Sequence, residues 1–248
     1  MHFFKPSDLS EALSNLGITN NDTILIHSDL STLGLMEGKL NHKEYLQAIL
    51  KLVLGKISEG TLMVPTFSYA YARHKTPFHY ETSPSELDIF SEFVRLQKSS
   101  FRSLHPLFSF SAIGEKKNFL CNNLSKSAFG YNTPFHRLCE AGGKIVFLGA
   151  NPGSAMTFIH HIEQLVGVSY FYHKAFLTPV YQNKKLIEGP FFAFVRHLGK
   201  VEYQHAPFRE ELENAQLLKK QKLGMGYIYC CEAKNVLDLG ASLINKDP

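Results

Sequence analysis

The residues with the clearest chemical potential are Thr157, His160 and Glu163, which follow one another at intervals of three. Positions three apart lie on one face of an α-helix, so the spacing predicts that these side chains line up. A carboxylate beside an imidazole fixes its tautomer and stabilises its protonated form, as a general base requires. A structural core histidine is the competing interpretation, because buried histidines are common. The neighbouring His161 is expected to point away from this face.

The spacing on the same segment disfavours a metal site. His160 and His161 are adjacent, and the HExxH spacing of zinc hydrolases is absent. The four cysteines form no CxxC pair and match no zinc site; they are Cys121, Cys139, Cys230 and Cys231. We therefore expect no bound metal, and free thiols in a reducing compartment.

A second candidate is the segment 23–34 (TILIHSDLSTLG), in which a short apolar run leads into a turn rich in Ser, Thr and Gly. Backbone N–H groups in such a turn bind anions, and Ser28, Ser31 and Thr32 add hydroxyl donors. Pyrophosphate is the ligand that this arrangement suits. On the residues alone, an ordinary polar loop with capping hydroxyls is the better interpretation, because loops of this composition are common.

The third candidate is the run Arg102-Ser103-x-His105-Pro106, which is followed by Ser109. A guanidinium can bind phosphate or carboxylate through two parallel hydrogen bonds. The proline holds His105 in an extended conformation. A surface arginine and a core histidine explain the same residues equally well.

Strand-like and helix-like segments alternate along the chain, which predicts an α/β layered fold to position these candidates. Two apolar runs, 23–27 and 144–150, are typical of buried strands. The run 61–67 predicts a strand that either ends at Pro65 or lies at an edge of the sheet. Asn41 and Glu44 have the spacing of a capping box before an amphipathic helix.

The remaining elements are predicted from caps, breakers and periodicity. Three helices are expected near the start of the chain and in its middle: residues 7–16 with Ser7 as N-cap, a helix opened by Ser83 and Pro84 that buries Leu87, Phe90, Phe93 and Val94, and one from Thr133 to about residue 142. Strands are expected at 108–113 and 226–231, a solvated helical stretch at 210–222, and a last helix at 233–244.

The composition is that of a globular protein with an apolar core. Hydrophobic residues make up 44% of the 248-residue chain and charged residues 19%, which argues against disorder. No apolar run reaches the roughly 20 residues of a membrane span, and the N-terminus lacks the pattern of a signal peptide, so we expect a cytoplasmic protein. The net charge of +4 arises without a long Lys/Arg run, so nucleic acid is not an expected partner.

Several segments carry more information together than any one of them does alone. They are HSDLSTLG (27–34), EGTLMVPTFS (59–68), RSLHPLFSFSAIG (102–114), FGYNTPF (129–135), GGKIVFLGA (142–150) and TFIHHIE (157–163), with a weaker tail KLGMGYIYCCEAKNVLDLG (222–240). In their order and approximate spacing they resemble the aminoglycoside N3-acetyltransferase family over nearly the whole chain. The resemblance implies acetyl-CoA as donor and a single domain over residues 1–248, with a central mixed β-sheet flanked by helices.

The resemblance also implies roles for individual residues. His160 is expected to be the catalytic base and Glu163 its orienting partner, with Thr157 or a nearby backbone N–H meeting the oxyanion. The expected CoA-binding residues are His27, Ser28, Ser31, Thr32, Leu33, Gly34, Arg102, Ser103 and Ser109. Asp29 stands where the family more often has a small Ser, and we assign it, together with His105, to the acceptor.

The expected function is acetyl transfer from acetyl-CoA to a primary amine of an amino sugar, by base-assisted direct attack on the thioester. The net charge favours a nucleotide-linked or other neutral or anionic amino sugar of surface-polysaccharide synthesis. The alternatives are an aminoglycoside 3-N-acetyltransferase that confers antibiotic resistance, a CoA- or nucleotide-binding module without turnover, and a metal hydrolase. The chain is shorter than typical members and matches poorly at about 165–220, where the family contacts the acceptor. A homo-oligomer is left open.

Overall fold

Three parallel strands form the centre of the main sheet in the computed structural model, which describes residues 3–38, 41–197 and 206–246. Ile24 and Ile26 face one side of the first of these strands and Leu25 faces the other, and all three side chains are buried. Strands that are buried on both faces read as continuous apolar runs rather than alternating ones. This explains the runs at 23–27 and 144–150.

The helices and strands are named in chain order. The strands are β1 (Phe3–Phe4), β2 (Thr23–Ser28), β3 (Leu35–Met36), β4 (Thr61–Pro65), β5 (Phe78–His79), β6 (Phe101–Arg102), β7 (Phe110–Gly114), β8 (Lys144–Leu148), β9 (Phe171–Phe176), β10 (Val180–Gln182), β11 (Lys185–Ile187), β12 (Phe191–Arg196), β13 (Lys219–Leu223) and β14 (Gly226–Glu232). The helices are α1 (Pro6–Asn15), α2 (His42–Lys56), α3 (Ala70–Arg73), α4 (Ile89–Arg95), α5 (Lys117–Cys121), α6 (Pro134–Glu140), α7 (Pro152–Ala155), α8 (Ile159–Val166), α9 (Ala206–Asn214) and α10 (Ala233–Lys246).

The main sheet has seven strands in the order β13-β14-β8-β2-β4-β7-β6. Strand β2 pairs in parallel with β8 and β4, with Leu25 opposite both Ile145 and Met63. The outer strands pair antiparallel. Helices α1, α2 and α4 cover one face, and α5, α6, α8 and α10 cover the other. The predicted α/β fold with a central mixed sheet flanked by helices is confirmed.

Two smaller antiparallel pairings stand outside the main sheet, and the sequence did not predict them. Strand β9 pairs with β12 so that Phe171 lies opposite Arg196. Strand β10 pairs with β11 and also, in parallel, with β5. Both pairings lie within the expected acceptor region, about 165–220, of which residues 198–205 lie outside the described residues.

Two of the predicted helix starts are wrong. The side chain of Asp88 accepts hydrogen bonds from the N–H groups of Phe90 and Ser91, so α4 begins at Ile89 and not at Pro84. Leu87, expected in the core, is exposed. Helix α1 begins after Lys5 rather than after Ser7.

Other predictions of elements are confirmed at their core and corrected at their ends. The capping box of Asn41 and Glu44 is formed, with distances of 2.9 and 3.0 Å. Pro65 ends a central strand rather than lying on an edge. The helical stretch predicted for 210–222 is wrong beyond Asn214, because Lys219–Leu223 is the edge strand of the main sheet.

No helix in the described part of the chain is long and apolar enough to cross a membrane. Three of the four cysteines are buried, and the structure records all four as free thiols. Within residues 3–38, 41–197 and 206–246, no group of three or more His, Cys, Asp or Glu side chains is placed to hold a metal ion.

Three histidines lie inside the protein in their neutral form. Burial lowers the pKa of His27 to about 4 and that of His105 to about 4. Burial, with a smaller contribution from His136, lowers the pKa of His161 to about 3. An unfolded histidine binds a proton below about pH 6.5, whereas these folded histidines do not until the pH is far lower. Acid therefore favours the unfolded chain.

We expect the free energy of unfolding to fall as the pH is lowered from 6.5 to 4, by about 1.4 kcal/mol per pH unit for each such histidine. His27→Phe keeps the stacking on Phe147, whose ring centroid lies 5.5 Å away, and should make this dependence shallower by one proton. Urea unfolding at several pH values measures the slope. His74→Phe, at an exposed position, is the control; equal slopes for wild type and His27→Phe would contradict the prediction.

Arg102 is a buried cation that joins three segments of chain. Its Nε donates to Ser109 Oγ at 2.9 Å, and its terminal nitrogens donate to the carbonyls of Tyr80, Ser83 and Thr66. A further bond reaches Ser68 Oγ at 3.2 Å. A guanidinium has five N–H groups, and these contacts use all of them.

Arg102→Met should lower the free energy of unfolding by about 2–4 kcal/mol, because it leaves several buried acceptors without a donor. Arg73→Met, which removes an exposed guanidinium that stacks on Tyr69, should change it by less than about 1 kcal/mol. Denaturant unfolding of both variants tests this. A stable Arg102→Met protein would show that the buried contacts contribute little.

Candidate functional site

Parallel strands that neighbour one another end at the same edge of the sheet, and the loops that follow β2, β4 and β8 meet there. Thr32 Oγ1 donates to the carbonyl of Gly149 at 2.8 Å, and Asp29 N donates to the carbonyl of Leu148 at 3.0 Å. Gly149 has a φ of 77°, and a Cβ there would collide with the Asp29 carbonyl. The turn after β2 is therefore packed against the segment that leads to α8.

Helix α8 brings His160 and Glu163 together as the sequence predicts. The His160 Nδ1 and the Glu163 Oε2 lie 2.8 Å apart. The Glu163 side chain is 4% exposed and that of His160 is 28% exposed, so the carboxylate lies behind the imidazole. The carboxylate accepts the Nδ1 proton, and the basic lone pair of the neutral ring is then on Nε2. The Tyr170 hydroxyl approaches Glu163 Oε1 at 3.4 Å.

Thr157 lies in the turn before α8, not on the helix as predicted. The helix begins at Ile159, and Thr157 reaches the dyad through its carbonyl, which accepts from His160 N at 3.2 Å. Its hydroxyl is buried and has no hydrogen-bond partner among the residues that the structure describes. A buried hydroxyl without a partner costs stability, so a bound group would complete it.

A cavity of about 360 Å³ opens in front of the dyad. Its lining is mostly aromatic: Phe108, Phe129, His160, Phe171, Phe194, Val195 and Arg196. The His160 ring lies 5.6 Å from the Phe129 ring and 5.9 Å from the Phe171 ring. Sequence reasoning missed these walls. The Phe content was a signal, but β9 and β12, which carry Phe171 and Phe194, had no recognisable pattern.

His161 turns away from the cavity, as predicted. It is fully buried, and its Nδ1 accepts a hydrogen bond from Gly130 N at 3.1 Å. The ring packs between Phe135 and Phe158. His161 thus belongs to the core, and His160 is the histidine of this pair that faces the cavity.

The turn after β2 already contains an anion of its own. The exposed Asp29 carboxylate accepts from Ser31 N at 3.3 Å and from Ser31 Oγ at 2.5 Å. Thr32 N and Leu33 N donate within the turn. Ser28 Oγ donates to Asp88 at 2.5 Å. The Ser28 and Ser31 hydroxyls and the Ser31 N–H, which were predicted to bind an external anion, are therefore bonded to carboxylates of the protein. Asp29 caps the turn.

The third candidate segment is also internal. Arg102 donates all of its N–H groups to protein acceptors, so a phosphate of CoA would have to displace one of these bonds. Ser103 Oγ accepts from Phe110 N at 2.8 Å, and Ser109 Oγ donates to the Thr66 carbonyl at 2.7 Å; both serines are fully buried. These residues hold the sheet together beside the site.

His105 and His27 likewise lie inside the protein. His105 Nδ1 accepts from Phe108 N at 2.9 Å, so its Nε2 carries the proton and donates to the Phe192 carbonyl at 3.0 Å. The bond to Phe192 connects the loop before β7 to β12. Since both ring nitrogens of His105 are engaged, neither is left to contact the acceptor substrate. His27 and Leu33 are buried in the cores, and Gly34 supplies a φ of 84° that the turn requires.

Comparisons with known proteins give matches along most of the chain. A sequence model of the family described as Aminoglycoside 3-N-acetyltransferase matches residues 25–245. The chain is 30% identical over 63% of its length to aminoglycoside N(3)-acetyltransferase VII of Streptomyces paromomycinus, and the match spans 59% of that enzyme. It is 28% identical over 74% of its length to aminoglycoside N(3)-acetyltransferase IX of Micromonospora chalcea, over 68% of that enzyme.

Solved structures share the fold. The structure of AAC-IIIb as a binary complex with CoASH has a TM-score of 0.83 at 20% identity, and the match covers 98% of this chain and 97% of that one. AAC-VIa with bound sisomicin has a TM-score of 0.83 at 17% identity and covers 98% of each chain. The family match spans most of the protein, including the sheet edge, the dyad and the C-terminal helix, and the chain therefore belongs to the aminoglycoside 3-N-acetyltransferase family.

Proposed function

We propose that this protein is an acetyl-CoA-dependent N-acetyltransferase that acetylates a primary amine of an amino sugar of the aminoglycoside class. The observation that carries the proposal is the His160–Glu163 pair at the cavity, with Nδ1 and Oε2 2.8 Å apart, in a chain of this family. The CoASH complex of AAC-IIIb supports CoA as the carrier of the acetyl group.

The chemical demand is removal of a proton from the amine as it attacks the thioester carbon. The His160 Nε2 takes this proton, and the Glu163 carboxylate holds the Nδ1–H and stabilises the resulting imidazolium. The aromatic walls of Phe129 and Phe171 reduce water around the ring and so strengthen this electrostatic interaction. The thioester is already activated, so no covalent acyl-enzyme is needed.

The negative charge that develops on the thioester oxygen needs a donor. The Thr157 hydroxyl is buried without a partner in the described part of the chain and lies one turn before His160. We assign this hydroxyl to the oxyanion, because a donor that is shielded from water stabilises such a charge more than water does.

The names of the relatives favour an aminoglycoside acceptor, the alternative from the sequence, over a nucleotide-linked amino sugar. The earlier preference depended on the net charge of +4, and net charge does not describe a pocket. Acetylation rates of gentamicin, sisomicin and a nucleotide-linked amino sugar test which class of acceptor is preferred. Acetylation of the nucleotide sugar alone would show that the nucleotide-linked class is the acceptor.

His160→Ala should lower kcat by about 10²–10⁴-fold and leave CoA affinity and the melting temperature nearly unchanged, because general-base catalysis contributes this much. Glu163→Gln should fall between wild type and His160→Ala, since it keeps the shape and removes the charge. Thioester consumption measures the rates, and calorimetry measures CoA binding.

The control for this experiment is His136→Ala, which removes a partly exposed histidine on α6. His161→Ala is a poor control, because that side chain is buried and its loss should lower stability. A His160→Ala protein within a few-fold of wild-type activity would refute the base assignment. A wild-type protein that binds CoA but consumes no thioester with any of these amines would favour a CoA-binding module without turnover.

Thr157→Val should lower kcat by about 10–100-fold while leaving the free energy of unfolding unchanged or slightly higher. Valine has nearly the same shape, and it removes a buried hydroxyl that has no partner among the described residues. Rates and denaturant midpoints are measured together. A loss of stability with unchanged kcat would show that the hydroxyl is structural.

A further inference from the structure

The phosphates of CoA need cations as partners. The two segments predicted to bind them, the turn after β2 and the run that begins at Arg102, already bond to other groups of the protein. The Asp29 carboxylate caps the turn after β2, and Arg102 donates all of its N–H groups to protein acceptors. The inference below rests on the proposed function, since it concerns how the same donor is held.

A stripe of alternating cations and tyrosines runs along one face of the β13–β14 hairpin and ends at Arg209 of α9. It consists of Lys222, Tyr227, Lys220, Tyr229 and Arg209, and we call it the lysine–tyrosine stripe. Lys220 Nζ lies 3.9 Å from the Tyr227 ring centroid and 5.6 Å from that of Tyr229. Lys222 Nζ lies 4.6 Å from the Tyr227 centroid, and the Arg209 guanidinium lies 5.2 Å from that of Tyr229. Cation–π contacts of this kind hold the ammonium groups in place.

The lysines of the stripe lie on the opposite face of β13 from Lys219 and Leu223. Successive side chains point to opposite faces, and Leu223 lies in the core that α1 and α2 cover. Lys219 shares that face, since its Nζ would contact a Cβ at Gly17, next to the end of α1. Lys220 and Lys222 are exposed on the other face.

The stripe begins where the turn after β2 ends. Met225 N donates to the Leu33 carbonyl at 3.0 Å, and Gly149 N donates to the Tyr227 carbonyl at 3.2 Å. Gly224, with a φ of 54°, packs so closely on the Leu33 carbonyl that a Cβ would collide with it. Arg209 also reaches Asn151 Oδ1 at 3.3 Å, in the segment that leads to Thr157 and His160. The cations therefore line the outer side of the site's own loops.

Charge balance favours an anion here. Arg209 forms an ion pair with Glu213 at 2.8 Å, which neutralises its charge. Lys222 Nζ instead donates a hydrogen bond to the uncharged carbonyl of Met225 at 2.7 Å. Two lysines held at fixed positions near a site for a phosphorylated donor match a group that carries several negative charges.

We propose that the lysine–tyrosine stripe binds the phosphates at the ADP end of CoA and so selects acetyl-CoA over acyl thioesters that lack them. Lys220 and Lys222 make the charge contacts, and Tyr227 and Tyr229 position their ammonium groups. The pantetheine arm then passes the turn after β2 toward His160. Lysines on an edge strand also discourage pairing with other sheets, and that explanation predicts no effect on CoA binding.

The test is calorimetric titration of the full-length protein with CoA, 3′-dephospho-CoA and pantetheine. The double variant Lys220→Gln/Lys222→Gln should bind CoA about tenfold more weakly or worse, with a smaller dependence on salt and an unchanged melting temperature. Lys220→Arg/Lys222→Arg should restore most of the affinity. Lys219→Gln is the matched control, because it removes a lysine from the same strand on the opposite face, and it should bind like wild type.

The ligands separate the two sources of phosphate. If the stripe binds the 3′-phosphate, dephospho-CoA should bind the wild type more weakly than CoA does. Its affinity for the double variant should then equal its affinity for the wild type. If the pyrophosphate is bound, both CoA and dephospho-CoA should lose affinity in the double variant. Equal CoA affinity for wild type and the double variant, or an equal loss in Lys219→Gln, would overturn the stripe alone. A wild-type protein that binds no CoA would overturn the proposed function as well.

Discussion

The parallel pairing of β2 with β4 and β8 is the constraint from which the site follows. It ends three strands at one edge, and it brings the turn at 29–34 against the segment 149–158 although they are far apart in sequence. Gly149 permits this contact, because a side chain there would strike the Asp29 carbonyl. A loop displaced at this edge would move Thr157 and the start of α8, and so the position of His160.

The dyad itself depends on local helix geometry combined with burial. An i, i+3 spacing brings His160 and Glu163 together on any helix, but on an exposed helix solvent would weaken the pair. Here the carboxylate is 4% exposed and the imidazole is 28% exposed, so the pair is shielded on one side and accessible on the other. Phe129 and Phe171 provide part of this shielding. An orienting carboxylate needs burial, whereas a base needs access, and the arrangement satisfies both.

What the sequence predicted well was local. The buried strands, the cap of α2 and the dyad each depend on residues within a few positions of one another. What it missed depends on partners that are distant in sequence: β9 and β12 acquire their pairing only against each other, and Lys219–Leu223 becomes a strand only because β14 lies beside it. The start of α4 is an intermediate case, since Ser83 and Pro84 match the pattern of a helix start, but the cap that forms is Asp88.

The same distinction governs the polar residues of the site. Arg102 and the serines after β2 have the side chains of a phosphate site, yet their hydrogen bonds are made within the protein, a fact that residue type cannot reveal. Lys220 and Lys222 show the reverse. In sequence they belonged to a solvated charged stretch, whereas strand pairing puts their ammonium groups over Tyr227, next to the loops of the site. A cation is available to a ligand when its contacts leave its charge unpaired, and cation–π contacts with a tyrosine hold an ammonium in place without neutralising it.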